Sequence, residues 1–356
     1  MELHPHSQSR IRMRHHALRW FCLCAALVFL HGNAAAQYEP DWTRNFRLGV
    51  LVGFNIKADF RTTGSFLTGG DPGPTGVPGA NHIYDDGYVR VDDFNNAGGF
   101  TTFWGYEDPA QYDPATQTLF MHSASSYSLS GGGSANETAH FGMDLAYGGY
   151  LWHRHPFRIG VEFGFGWLPI YISQDFNAMA QVSQVTHAFS VPDGVVLPQA
   201  PYNGSSSGFG QPAISDTATL VGTDTINGSV TGTRTLDVTL YTFRLGPTLF
   251  WDVHPRVGLT LSAGPALGFI DGEYRFRENI VTSGASQSRG GFDVSDTVFG
   301  GYVNAMITYH AVSNGDLYLA AQYMPLGTPR FSRGGRQAEL ELNGAVYVSA
   351  GINWPF

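Results

Sequence analysis

Two cysteines, Cys22 and Cys24, are all that this chain of 356 residues contains, and both fall among its first 30 residues. The long remainder has no disulfide with which to staple itself, and a cysteine-rich zinc module is excluded with it. Charge is scarce at 14% of residues and leans acidic, 20 Lys and Arg against 29 Asp and Glu for a net charge of −9. No basic stripe offers itself to a phosphate backbone, so nucleic acid is not expected as a partner. Beyond the first 30 residues no window reaches the roughly 18 consecutive apolar residues that a membrane helix requires. A phosphate-binding glycine loop, an HExxH pair and the D-x-D-x-D-G calcium spacing are all missing from the sequence, so neither a cofactor nor a metal is expected.

What the chain has instead is glycine and aromatics: 45 Gly, 25 Phe, 17 Tyr and 7 Trp, within a 43% hydrophobic composition. That mixture favours many glycine-relieved strands over packed helices. The first 36 residues read as an export signal. Arg10, Arg12, Arg14 and Arg19 supply a basic start, residues 20–30 an apolar run too short to span a bilayer, and Ala34-Ala35-Ala36 a small-residue cleavage site before Gln37. The layout expected is a removed signal at 1–36, a periplasmic segment at 37–45 and one barrel domain at 46–356.

Period-2 alternation runs through the mature chain for longer than an ordinary strand of five or six residues. Across residues 47–60, Leu48, Val50, Val52, Phe54, Ile56 and Phe60 share one face, against Arg47, Gly49, Gly53, Asn55, Lys57 and Asp59. The same script repeats at 140–152, 157–167, 241–251, 257–269, 299–309, 317–323 and 339–356. That makes eight strands, each near the 9 to 11 residues that a tilted membrane strand needs. Short links at 153–156, 252–255 and 313–316 alternate with longer ones at about 61–139, 173–233, 277–296 and 327–337. The first two pairs turn at His-Pro, His155-Pro156 and His254-Pro255, where turn residues are expected rather than metal ligands. An even strand number puts both ends and the short turns on one side and the long loops on the other, as in outer-membrane barrels. The fold expected is all-β: a closed antiparallel up-and-down transmembrane β-barrel of eight strands with long extracellular loops. Residues 118–130 are read as part of a loop hairpin above the membrane, not as membrane strand.

The ending Val346, Val348, Ala350, Ile352, Trp354, Phe356 resembles the signal that outer-membrane barrels present to their assembly machinery. In style the mature chain is similar to the small outer-membrane β-barrel proteins, the OmpA transmembrane-domain, OmpX and OmpW-like families. The resemblance implies an outer-membrane location, contact with lipid and lipopolysaccharide, and assembly through the C-terminal strand, with Val348, Ala350, Ile352, Trp354 and Phe356 as its signal. It implies no activity, and the chain stops at its last strand without a cell-wall-binding domain.

An eight-stranded barrel has an interior that side chains can fill. The inward set read here, Arg47, Asp144, Arg158, Glu162, Arg244, Arg256 and Glu341, mixes signs and is expected to form an internal polar network, since each buried charge needs a partner. Val52 is assigned to the lipid face and Gly53 to the lumen, where a serine should be mild. Asp85-Asp86 and Asp92-Asp93 with His82 and His122 are the one group resembling an acid pair and base. Solvated loop turns are the expected reading, and the chain is not expected to be an enzyme. Two functions remain: a structural scaffold displaying long loops to an extracellular ligand, or a narrow channel for passive transport of small or apolar solutes.

Overall fold

The computed structural model describes residues 44–356 apart from 69–70, 155, 255, 283–284 and 313–314. The expected signal and residues 37–43 of the following segment lie outside the described residues. In chain order, β1 (Arg44–Phe54) and β2 (Lys57–Leu67) lead to five short strands. These are β3 (His82–Tyr84), β4 (Gly87–Val89), β5 (Phe100–Thr101), β6 (Trp104–Tyr106) and β7 (Tyr112–Asp113). The chain returns through β8 (Thr118–Asn136) and β9 (His140–Arg154), climbs β10 (Phe157–Ser190), passes β11 (Tyr202–Asn203) and β12 (Ile214–Ser215), and descends β13 (Thr219–His254). β14 (Val257–Val281), β15 (Ala285–Val312), β16 (Gly315–Tyr323), β17 (Arg330–Arg333), β18 (Arg336–Glu341) and β19 (Val346–Pro355) complete it.

Eight of these close a ring in which every neighbour is antiparallel: β1, β9, β10, β13, β14, β15, β16, β19 and back to β1. The first and last strands make the final join. Val52 faces Val348, Val50 faces Ala350, Leu48 faces Ile352 and Phe46 stacks on Trp354 at 6.1 Å. Arg44 and Phe356 exchange backbone hydrogen bonds of 2.7 and 2.8 Å across that join. Each strand of this ring is hydrogen-bonded to a neighbour on both sides, so the barrel needs no disulfide to stay shut.

Four strands greatly exceed a bilayer's need: β10, β13, β14 and β15 hold 34, 36, 25 and 28 residues. Along them the alternation keeps its period but reverses its sign. On β14 the outward residues run Leu259, Leu261, Ala263, Leu267 and Phe269, then Asp271, Glu273, Arg275 and Arg277; inward, Thr260 and Ser262 give way to Ile270 and Tyr274. β10 repeats this, with Phe157, Ile159, Val161 and Phe163 outward below, and Leu168, Ile170 and Ile172 buried inward above. Much of what was expected as loop at 173–233 and 277–296 is therefore wall, as is β8 within 61–139. A search for one continuous apolar face loses such strands where the sign reverses.

The other half of the wall is broken at one level. β1 stops at Asn55, whose φ of 57° is left-handed, and β2 begins with its faces exchanged. Ile56, Ala58 and Phe60 are wholly buried inside, so Ile56 and Phe60 are not on the outer face with Phe54 as the unbroken alternation predicted. The same exchange occurs across 137–139, between β8 and β9, and across 342–345, between β18 and β19. Leu340 and Leu342 consequently join the interior core, and Glu341 lies on the opposite face, in register with Lys57. Above the break β10, β8, β2, β18 and β17 continue the wall in that order.

Candidate functional site: the filled interior and its cap

The interior is layered. Nearest the tight links it is polar: Arg47 donates to Glu162 at 2.5 Å and Arg244 to Asp144 at 2.5 Å, with all four side chains at most 4% exposed. Glycines on the wall make room for these long side chains; a Cβ at Gly164 would collide with the Arg244 guanidinium. Arg158 pairs with Asp252 at 2.7 Å and lies over the rings of Phe250 at 3.8 Å and Tyr150 at 4.9 Å, closing the tight-link end. Nearby, the Asn353 amide donates to Asp316, which also pairs with His310. Of the seven residues expected in the lumen, five form these pairs. Arg256 is exposed at the link, using its backbone toward His254 and His310, and Glu341 faces outward.

The next layer is apolar. Leu51, Leu168, Ile170, Leu236, Val238, Leu240, Ile270 and Leu340 fill the barrel's middle, with Met324, Leu326 and Phe331 packed from the segment after β16. Above it sits a second polar cluster that sequence reading missed, because Tyr127, Phe176, Glu278 and Arg336 fall in stretches read as loop and Arg234 just beyond one, outside the strands assigned. Arg336 donates to Glu278 at 2.6 Å and to Tyr127 at 2.9 Å, the Tyr127 hydroxyl donates to Glu278, and Arg234 lies over Phe176 at 3.7 Å.

A cap closes the loop end. β3, β4, β6 and β11 form one small sheet and β5 and β12 another, around a core of Val89, Trp104, Leu119, Met121, Phe189 and Ile214. The residues weighed as an acid–base group lie here, and they are clasps. Asp85 accepts from the Ala124 amide at 2.7 Å; Asp86 accepts from the His122 amide at 2.8 Å and pairs with its Nδ1 at 2.6 Å. Both tie the β3–β4 turn to wall strand β8. Asp92 accepts from the amides of Phe94, Asn96 and Thr102 and from the Thr102 hydroxyl; burial opposes ionisation, but these bonds hold its carboxyl below the usual range. His82 is completely buried with Nδ1 on the Pro72 carbonyl at 2.7 Å, and Tyr84 shares a 2.8 Å hydrogen bond with His187 Nδ1. Burial, with His82 nearby, lowers His187 below the ordinary histidine value. Asp86, Asp92 and His82 are thus buried, not solvated as the turn reading expected. Among the described residues no group of three or more His, Cys, Asp or Glu is placed to hold a metal ion.

Fold and interior together define a closed, side-chain-filled eight-stranded antiparallel barrel. No family model matches the chain, and no curated protein matches its sequence. Among solved structures it is similar to the outer membrane protease OmpT from Escherichia coli, with 11% identity, TM-score 0.32, and coverage of 91% of this chain and 100% of that one. It is similar also to the outer membrane protein OprG from Pseudomonas aeruginosa, with 8% identity, TM-score 0.31, and coverage of 88% and 95%. A third is Ail of Yersinia pestis bound to a heparin analogue, with 9% identity, TM-score 0.27, and coverage of 89% and 100%.

Proposed function

We propose that this protein is a non-enzymatic β-barrel of the Gram-negative outer membrane, a scaffold that carries a folded cap on a tall wall for contact with an extracellular ligand. The observation that carries the reading is the reversal of sign along the long strands. Only below it do large apolar side chains point outward on every strand of the ring, among them Val50, Phe141, Phe163, Leu245, Leu261, Phe299, Leu319 and Ile352, each 40% exposed or more. A water-soluble barrel would bury that belt; hydrocarbon accepts it. The tight links then face the periplasm and the cap faces outward. Lipid and lipopolysaccharide surround the belt, and β19, with Val348, Ala350, Ile352 and Trp354 on its outer face, is the strand read by the assembly machinery.

Two layers of the interior support scaffold over channel, since among the described residues ion pairs and an apolar plug occupy successive levels of the axis. The orientation is tested by Phe209→Cys, at a cap position 92% exposed. The mature chain has no cysteine of its own, so a membrane-impermeant maleimide should label this variant on intact cells. Labelling only after permeabilisation would reverse the topology. In planar bilayers the folded protein should give no single-channel steps; reproducible steps would favour the channel.

A further inference from the structure

The wall is not laced throughout. One edge of β10 pairs with β9 as far as Trp167 opposite Met143, and with β8 only from Gln181 opposite Ser128. Between them, residues 168–180 make their ladder with β13 alone, and the facing residues 129–136 of β8 make theirs with β2 alone. The two edges meet by contact. A Cβ on Gly131 would lie 3.9 Å from that of Ala178, and one on Gly133 would collide with the Gln174 amide. Such a seam can part without breaking a ladder hydrogen bond. At its upper end the surface forms a groove of about 510 Å³ lined by Gly64, Ser128, Leu129, Met179 and Ala180.

Inside the seam stand Gln174 and Phe176, and in register with Gln174 is Arg234. Its guanidinium lies against the Phe176 ring, it is 1% exposed, and neither its Nε nor its Nη2 has a hydrogen-bond partner. The charged groups around it are Arg336 and Glu278. Arg336 already holds one Glu278 oxygen; the other, Oε1, is unpartnered, but one carboxylate neutralises one cation of two however it is shared. The nearby phenols supply no charge, because burial pushes Tyr274 up to about 12 and Tyr127 upward as well. A surplus buried cation is costly unless an anion meets it. Nε and Nη2 form the side edge of the guanidinium, whose two parallel N–H groups match the two oxygens of a carboxylate.

We propose that the unpartnered edge of Arg234 binds the carboxylate of a small amphipathic molecule admitted through the seam between β8 and β10. The carboxylate sits on Arg234 Nε and Nη2, and the apolar body lies against Phe176 and runs toward Leu129 and Ala180. This goes beyond the scaffold reading and requires no conduction along the barrel axis.

The test is calorimetric titration of the full-length mature protein, folded in neutral detergent, with octanoate, octanol and acetate. Octanoate should bind at least about tenfold more tightly than octanol, the order expected for a charge-assisted hydrogen bond, and more tightly than acetate. Arg234→Met should weaken octanoate by a similar factor while leaving octanol unchanged; it removes an unmatched charge, and unaltered heat-modifiable migration would show that it folds. Ala178→Trp, which keeps the charge and obstructs the seam, should slow or abolish octanoate binding. Equal affinity for octanol and octanoate, equal affinity for acetate and octanoate, or an Arg234→Met protein that binds octanoate normally would each overturn the proposal. If Arg234→Met does not fold, undiminished binding and rate in Ala178→Trp would overturn it instead.

Discussion

Arg47 and Glu162 are buried together on strands that are not neighbours, with the β9 strand between them, and each is the other's direct ion-pair partner at 2.5 Å. Glu162→Ala should destabilise the barrel by about 3 to 5 kcal/mol, measured by urea unfolding in detergent, because it deprives a buried guanidinium of its direct ion-pair partner. Replacing both with Met should recover much of that loss, and a double variant as unstable as the single would show that the pair is not the cause. On the outer face, Val52→Arg should cost about 2 to 4 kcal/mol. Gly53→Ser was expected to be milder, but the structure gives that position an apolar ceiling: its Cβ would come 2.8 Å from Leu168 Cδ2 and 3.1 Å from Ile56 Cδ1. A hydroxyl stranded there should cost about 1 to 3 kcal/mol, nearly as much as the arginine. In the cap, His187 is held below its ordinary value, so the unfolded cap binds the extra proton as pH falls through about 6.5. Cap stability is therefore complete above that pH and declines below it. Protease cleavage within 191–218 should accelerate at pH 5.5 relative to pH 7.5, less steeply in His187→Gln; an identical pH profile in the variant would exclude His187 as the source.

At the level of the strand, eight membrane segments and their tight links were legible because apolar side chains stand outward at every second position, with glycine or a polar group between. The upper wall was not, for two physical reasons. Above the belt water lies outside and packing inside, so the same period carries the opposite sign. At Asn55, 137–139 and 342–345 the alternation also slips by one residue, which placed Ile56, Phe60, Leu340 and Leu342 on the wrong face. Arg47, Asp144, Glu162 and Arg244 could be read as inward from the lower strands, but which cation meets which anion depends on how the ring closes. Arg234, Glu278 and Arg336 were invisible because they belong to the misread tier. The slip at Asn55 is itself testable. Its left-handed φ of 57° disfavours a β-branched residue, and its side chain donates to the Gly344 carbonyl at 2.8 Å, joining two of the three breaks. Asn55→Val should cost about 1 to 3 kcal/mol and Asn55→Gly distinctly less, by denaturant unfolding. Equal costs would mean that the hydrogen bond, not the backbone, sets the break.

For the molecule as a whole, closure of the ring predicts compact, faster gel migration of unboiled protein that reverts to the full 38.7 kDa chain less its signal on boiling. Identical migration with and without heat would contradict a sealed barrel. The last join is the one between the first and last strands, Phe46 against Trp354 and Arg44 against Phe356. A ribosome must finish β19 before the ring can close, so every shorter nascent form carries two bare strand edges. Shortening the polypeptide by its final ten residues would leave it permanently in that condition, a target for degradation instead of a smaller pore.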